Sequence, residues 1–145
     1  MKHQILQTIA ILGLFFMLAM TSVSAQTTGK VEVKIPFDFT AGKATFKAGT
    51  YSIKRVSNNS VAIRSLDGKT TKLIDAPLAI GARDSKAGER LVFNQYGEQY
   101  FLSQVWVEAD SGRQLFTSGA EKKAAQEYKL AHNNEKPQRV EIAAR

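Results

Sequence analysis

Apolar and polar residues alternate without interruption from Lys30 to Thr40. Val31, Val33, Ile35, Phe37 and Phe39 fall on one side, and Lys30, Glu32, Lys34, Asp38 and Thr40 on the other. Successive side chains of a strand point to opposite faces, so this period of two predicts a half-buried strand. Pro36 lies on the polar side and has no N–H for a ladder, which predicts an edge position or a bulge.

The same period recurs in shorter pieces. Ala44 to Lys47, Thr50 to Val56, Val61 to Leu66 and Lys69 to Ile74 predict strands. Turns separate them at Ala41-Gly42-Lys43, Ala48-Gly49, Ser57-Asn58-Asn59-Ser60 and Asp67-Gly68, the last a strong hairpin signal. Asp75 to Glu89, interrupted by Pro77, Gly81 and Gly88, predicts a loop carrying a partial strand. Leu91-Val92-Phe93, a turn near Tyr96-Gly97 and the run Tyr100 to Val107 form the most apolar hairpin. In its second arm Phe101, Val105 and Val107 take one face and Tyr100, Leu102 and Trp106 the other. That predicts a central strand covered on both sides, with Trp106 buried. Asp110-Ser111-Gly112 then turns into Gln114 to Thr117.

The period changes once. Ser118, three residues before Glu121, reads as a capping box, and Ala120 to Ala131 holds good helix formers with Ala124, Tyr128 and Ala131 on one stripe. One helix is predicted over about 119–132, stopping at Asn133-Asn134 before Pro137. Val140 and Ile142 alternate with Glu141 and Ala143 in a last strand, expected to pair with the edge near Val31 and close the sheet. The fold class that follows is all-β, a mostly antiparallel β-sandwich or small β-barrel of about seven or eight strands, with one C-terminal α-helix.

The first 25 residues follow a different pattern. Lys2 and His3 precede an apolar run from Ile9 to Met20, and Val23-Ser24-Ala25 places small residues at the positions a signal peptidase reads. Met1 to Ala25 is therefore predicted to be a cleaved secretory signal peptide, because the run is shorter than the roughly 20 apolar residues a membrane span needs. Residues 26–30 read as a linker and 31–145 as a single β-rich domain. After cleavage no transmembrane segment is expected, and the localisation implied is secreted, periplasmic or extracellular. The chain has no cysteine, so neither disulfides nor a lipid anchor on cysteine contribute.

Cleavage leaves 19 Lys and Arg against 13 acids, a net charge of +6. The excess is local: Lys30 to Lys72 carries nine Lys or Arg against Glu32, Asp38 and Asp67. Lys30, Lys34, Lys54, Lys69 and Lys72 are the candidate contacts for an anionic surface such as lipid headgroups or acidic polysaccharide.

Several motifs resemble, in their order, a family of small secreted uncharacterised proteins from soil bacteria. They are Ile35-Pro36-Phe37-Asp38-Phe39, Ala48-Gly49-Thr50-Tyr51, Ile63-Arg64-Ser65 with Asp67-Gly68, and Tyr100-Phe101-Leu102-Ser103-Gln104-Val105-Trp106. The similarity runs from about Val31 to the C-terminal Ala-Ala-Arg; Lys47 stands where the pattern has proline. The resemblance implies a bacterial envelope setting and supplies no activity or functional residue.

Catalytic constellations are not evident. The mature chain's one histidine, His132, falls near the helix end, where a cationic or capping group favours the macrodipole. No metal or cofactor site is expected: Asp67, Asp75, Asp84, Glu108 and Asp110 lack calcium-loop spacing, and the glycines lie singly at turns. Phe46-Lys47 and Tyr51 to Arg55 interleave aromatic and basic residues, but burial explains Tyr51 and Ile53, so nucleic acid is a disfavoured partner. The reading that remains is a secreted or periplasmic non-enzymatic β-domain binding a partner protein or an envelope component. One alternative is a small β-barrel carrier of an apolar ligand, lined by Phe37, Phe39, Phe93, Phe101 and Trp106. The other is a carboxylate-dependent hydrolase built on Glu108 and Asp110.

Overall fold

The computed structural model of the protein describes residues 29–81 and 88–144. The predicted signal peptide, residues 26–28 of the linker and part of the irregular segment after Asp75 lie outside the described residues.

Eleven strands and one helix are formed among the described residues. They are β1 (Lys30–Ile35), β2 (Phe39–Ala41), β3 (Ala44–Phe46), β4 (Gly49–Arg55), β5 (Ser60–Ser65), β6 (Thr71–Asp75), β7 (Leu78–Gly81), β8 (Arg90–Tyr96), β9 (Gln99–Trp106), β10 (Ser111–Gln114), α1 (Gly119–Ala131) and β11 (Gln138–Ala143). Sheet A is antiparallel with strand order β1-β4-β5-β6. Sheet B runs β11-β8-β9-β10-β7, and the β2–β3 hairpin joins it through a parallel pairing of Thr40 with Phe101. One core lies between them: Val31, Ile53, Ile63 and Ile74 from sheet A pack in the same cluster as Leu91, Phe93, Leu102 and Val105 from sheet B. The chain is thus a mostly antiparallel β-sandwich with one helix, and no closed barrel forms among the described residues. Short pieces such as β2, β3 and β7 raise the strand number above the expected seven or eight.

The alternation from Lys30 to Thr40 does not make one strand. β1 ends at Ile35 on an edge of sheet A, and after Pro36 the chain crosses to sheet B, where Phe39 opens β2. Asp38 secures the crossing: Oδ1 accepts from the Ala48 N–H at 2.8 Å, and Oδ2 takes Lys47 Nζ at 2.8 Å. The burial pattern continues through the break because both sheets face the same core.

In the hairpin β8–β9 the register shifts. Val92 lies opposite Gln104 and Phe93 opposite Leu102, leaving Ser103 as the extra residue of a bulge. One inserted residue inverts every later side chain, so Leu102, Val105 and Val107 all reach the core, whereas Phe101 and Trp106 are buried on the opposite face. The sequence pattern had grouped Phe101 with Val105 and Val107, and the bulge corrects it. The strand is nevertheless central, and Trp106 is only 4% exposed.

Trp106 also accounts for where β10 begins. Gly112 belongs to the strand instead of the preceding turn, because the indole lies directly over it; a Cβ there would come within 2.6–2.7 Å of ring carbons. The Arg90 guanidinium stands 4.3 Å from the ring centroid, and the indole N–H donates to Gln104 Oε1 at 3.1 Å. Gly49 likewise lies inside β4, while Gly42, Gly68 and Gly97 occupy turns with positive φ.

β11 pairs with β8 and not with β1. Val140 lies opposite Phe93 and Ile142 opposite Leu91, so its apolar residues extend the inner surface of sheet B. α1 follows the capping expectation in part: Ser118 Oγ accepts from the Glu121 N–H at 3.1 Å. The Glu121 carboxylate goes to the sheet, where Oε1 accepts from Asn94 Nδ2 at 2.8 Å and Tyr96 Oη at 3.4 Å. His132 is the C-cap residue and stacks on Tyr128.

Candidate functional site

The outer face of sheet A is a lattice of cross-strand rows fixed by the register. Lys34, Thr50 and Leu66 form one row; Glu32, Ser52, Arg64 and Thr71 the next; Lys30, Lys54, Ala62 and Leu73 the third; Val56, Ser60 and Asp75 the last. The helix packs against β8 of sheet B, leaving this face to solvent. Lys30, Lys34, Lys54 and Arg64 therefore share one exposed surface with Glu32 and Asp75.

The phase of the β1–β4 ladder matters. The Arg55 N–H donates to the Gly29 carbonyl at 3.0 Å, which makes Gly29/Arg55, Val31/Ile53 and Val33/Tyr51 the hydrogen-bonded pairs. Lys30 and Lys54 consequently form a non-hydrogen-bonded pair, the kind in which opposite Cα atoms come closest, about 4.5 Å apart. Like charges placed opposite each other cost stability. Glu32 offsets part of that cost by meeting Lys30 Nζ at 3.3 Å. Among the described residues, Lys34, Lys54 and Arg64 form no ion pair.

Small residues lie between the cations. Lys30, Lys54 and Arg64 rim a groove of about 330 Å³ whose floor includes Ser52, Ala62 and Thr71. Such an arrangement can hold an anionic group, with ammonium and guanidinium donors around it and hydroxyls beneath.

Two of the expected contacts lie elsewhere. Lys69 is in the β5–β6 turn, its N–H bound to Asp67 Oδ1 at 3.0 Å. Hydrogen bonds from Ser65 and from that N–H hold the Asp67 carboxyl below the usual carboxylate range. Lys72 pairs with Ile63 and so has the parity of the inward-facing row, on the opposite side of the sheet from Lys54. The face thus brings together Lys30, Lys34 and Lys54 but not Lys69 or Lys72. Arg64 and Leu73 were the members missed, although Ile63 facing inward already implied Arg64 facing outward.

Comparison of the chain with protein-family models, with curated proteins and with solved structures finds no match.

Other candidates disperse. Glu108 is ion-paired with Arg55, and Asp110 lies in an exposed turn. Among the described residues no three His, Asp or Glu side chains gather as metal ligands. Phe37 and Phe39 meet Phe93 edge-on at 5.2 and 5.4 Å, and Phe37 stacks on Tyr100 at 3.8 Å, so these rings fill the space between the sheets. Phe101 and Trp106 belong to the other face of sheet B.

Proposed function

We propose that the protein is a secreted, non-enzymatic β-domain that binds an anionic component of the bacterial envelope through the outer face of sheet A. The observation that carries this reading is the Lys30/Lys54 pair. Two like charges held at closest cross-strand approach on an exposed face lower the stability of the free domain, and an anion bound between them removes that penalty. The groove rimmed by the same two lysines and Arg64 gives the anion a place. The signal-like N-terminus and the resemblance to secreted proteins support the export this function needs.

The test is cosedimentation of the mature protein with anionic or neutral phospholipid vesicles across a salt series. Binding to anionic vesicles alone, weakening steeply between about 50 and 500 mM salt as the Debye length shrinks from roughly 14 to 4 Å, is the expected result. Lys30→Glu/Lys54→Glu/Arg64→Glu should abolish it while leaving thermal unfolding close to wild type. Equal binding to neutral vesicles, or binding indifferent to the substitutions, would overturn the reading.

A further inference from the structure

The edge of sheet A formed by β6 has unused pairing capacity in a regular phase. The Ser65 N–H donates to the Thr70 carbonyl at 2.9 Å and the Ala76 N–H to the Asn59 carbonyl at 2.7 Å. Antiparallel pairs alternate, so Thr70, Lys72, Ile74 and Ala76 direct their main-chain groups to β5. The N–H and C=O groups of Thr71, Leu73 and Asp75 therefore point away from the sheet, and β6 has no second strand neighbour among the described residues. A groove of about 430 Å³ runs beside this edge, lined by Gly42, Lys43, Leu73, Asp75 and Phe116. Leu73 and Phe116, 64% and 63% exposed, are among the most exposed large apolar residues of the described chain. By contrast β1, at the other edge of sheet A, alternates charged residues along its outer face and is followed by Pro36, both devices that discourage strand addition.

We infer that β6 pairs with β6 of a second copy of this chain, joining the two A sheets into one across a two-fold axis at Leu73. Self-complementarity selects this occupant. An antiparallel register centred on Leu73 sets Leu73 opposite Leu73 of the second copy and Thr71 opposite Asp75 of the second copy. All of the outward main-chain donors and acceptors of Thr71, Leu73 and Asp75 are then satisfied in both copies. The charges agree with it. Arg64 lies next to Thr71 in its row, so Asp75 of the second copy arrives two strand spacings from Arg64, about 9.6 Å, a gap that an Arg and an Asp side chain span together. Neither Arg64 nor Asp75 forms an ion pair within one copy among the described residues. Lys72 meets Ile74 of the second copy and not its own like charge, and Leu73 and Phe116 lose exposure. The pairing stands independently of the anion-binding reading.

The absence of cysteine makes a direct test clean. Hydrogen-bonded antiparallel neighbours have Cα atoms about 5.5 Å apart, within disulfide range. Leu73→Cys should therefore give a disulfide-linked dimer under mild oxidation, at least about tenfold more than Leu130→Cys, a still more exposed leucine on the helix. Leu73→Pro should turn the wild-type dimer into monomer by sedimentation velocity while the domain stays folded, with a wild-type far-UV circular dichroism spectrum, because the N–H it removes is not bonded to β5. Wild-type protein that is monomeric throughout a concentration series, equal cross-linking of the two cysteine variants, or a dimer that survives Leu73→Pro would each overturn the inference.

Discussion

At the scale of single residues, the tightest constraint is the contact between Trp106 and Gly112. No alanine fits beneath the ring without displacing either the β9 or the β10 backbone, because a Cβ would lie 2.6–2.7 Å from aromatic carbons. Gly112→Ala should destabilise by about 1–3 kcal/mol, a typical overpacking cost. Trp106→Ala should cost about 3–5 kcal/mol through lost burial and the cavity left behind. The two effects share one cause, so the double variant should be no less stable than Trp106→Ala alone; additive losses in urea unfolding would refute the contact. A second constraint is electrostatic. Burial first, then the Glu121 charge and hydrogen bond, push the Tyr96 phenol above its ordinary value of 10.0. On alkalinisation the unfolded chain releases this proton earlier than the folded one, so stability is intact below about pH 10 and falls as pH rises through the raised value. Tyr51 shifts in the same direction, chiefly through burial. Tyr96→Phe should thus flatten, without abolishing, the decline in urea midpoint between pH 9 and 11; an unchanged slope would refute the assignment.

At the scale of elements, period-two patterning was enough to locate most strands and the Asp67-Gly68 hairpin. It failed where one residue altered the relation between sequence parity and face. Pro36 stops β1 while burial alternates on into β2, because the two sheets enclose the same core. Ser103 adds a residue to β9, and no local property of Leu102-Ser103-Gln104 signals it; the bulge is set by pairing with β8. The face that Lys72 takes was open for a related reason: its strand was expected from Lys69, and the register with β5 gives its parity. The partner of β11 was equally hidden, since Val140 and Ile142 suit any edge with apolar neighbours. The helix start was legible because capping is local chemistry. Ser118→Ala should remove the acceptor for the Glu121 N–H and cost about 1 kcal/mol. Ser118→Asp should retain most of that stability in thermal unfolding. Equal losses for the two would show that burial of Glu121, not the cap, fixes the helix start.

At the scale of the whole molecule, charge and symmetry act together. Two sheets joined edge to edge have their two-fold axis perpendicular to the sheet, so both outer faces, with Lys30, Lys54 and Arg64 of each copy, look in the same direction. A planar anionic surface then meets two cationic faces at once. The second engages at high effective concentration, which raises apparent affinity by roughly 10²–10⁴ without any new contact. Leu73→Pro leaves all of those cations in place but separates the copies. It should therefore weaken binding to anionic vesicles by at least about tenfold at fixed salt. The charge-reversed Lys30→Glu/Lys54→Glu protein, which keeps Arg64 to meet Asp75 of the second copy, should instead remain dimeric and lose binding to anionic vesicles. The two variants thus separate the edge from the face. Cosedimentation and sedimentation velocity on the same samples give both readouts, and undiminished vesicle binding by a monomeric Leu73→Pro protein would show that one face suffices.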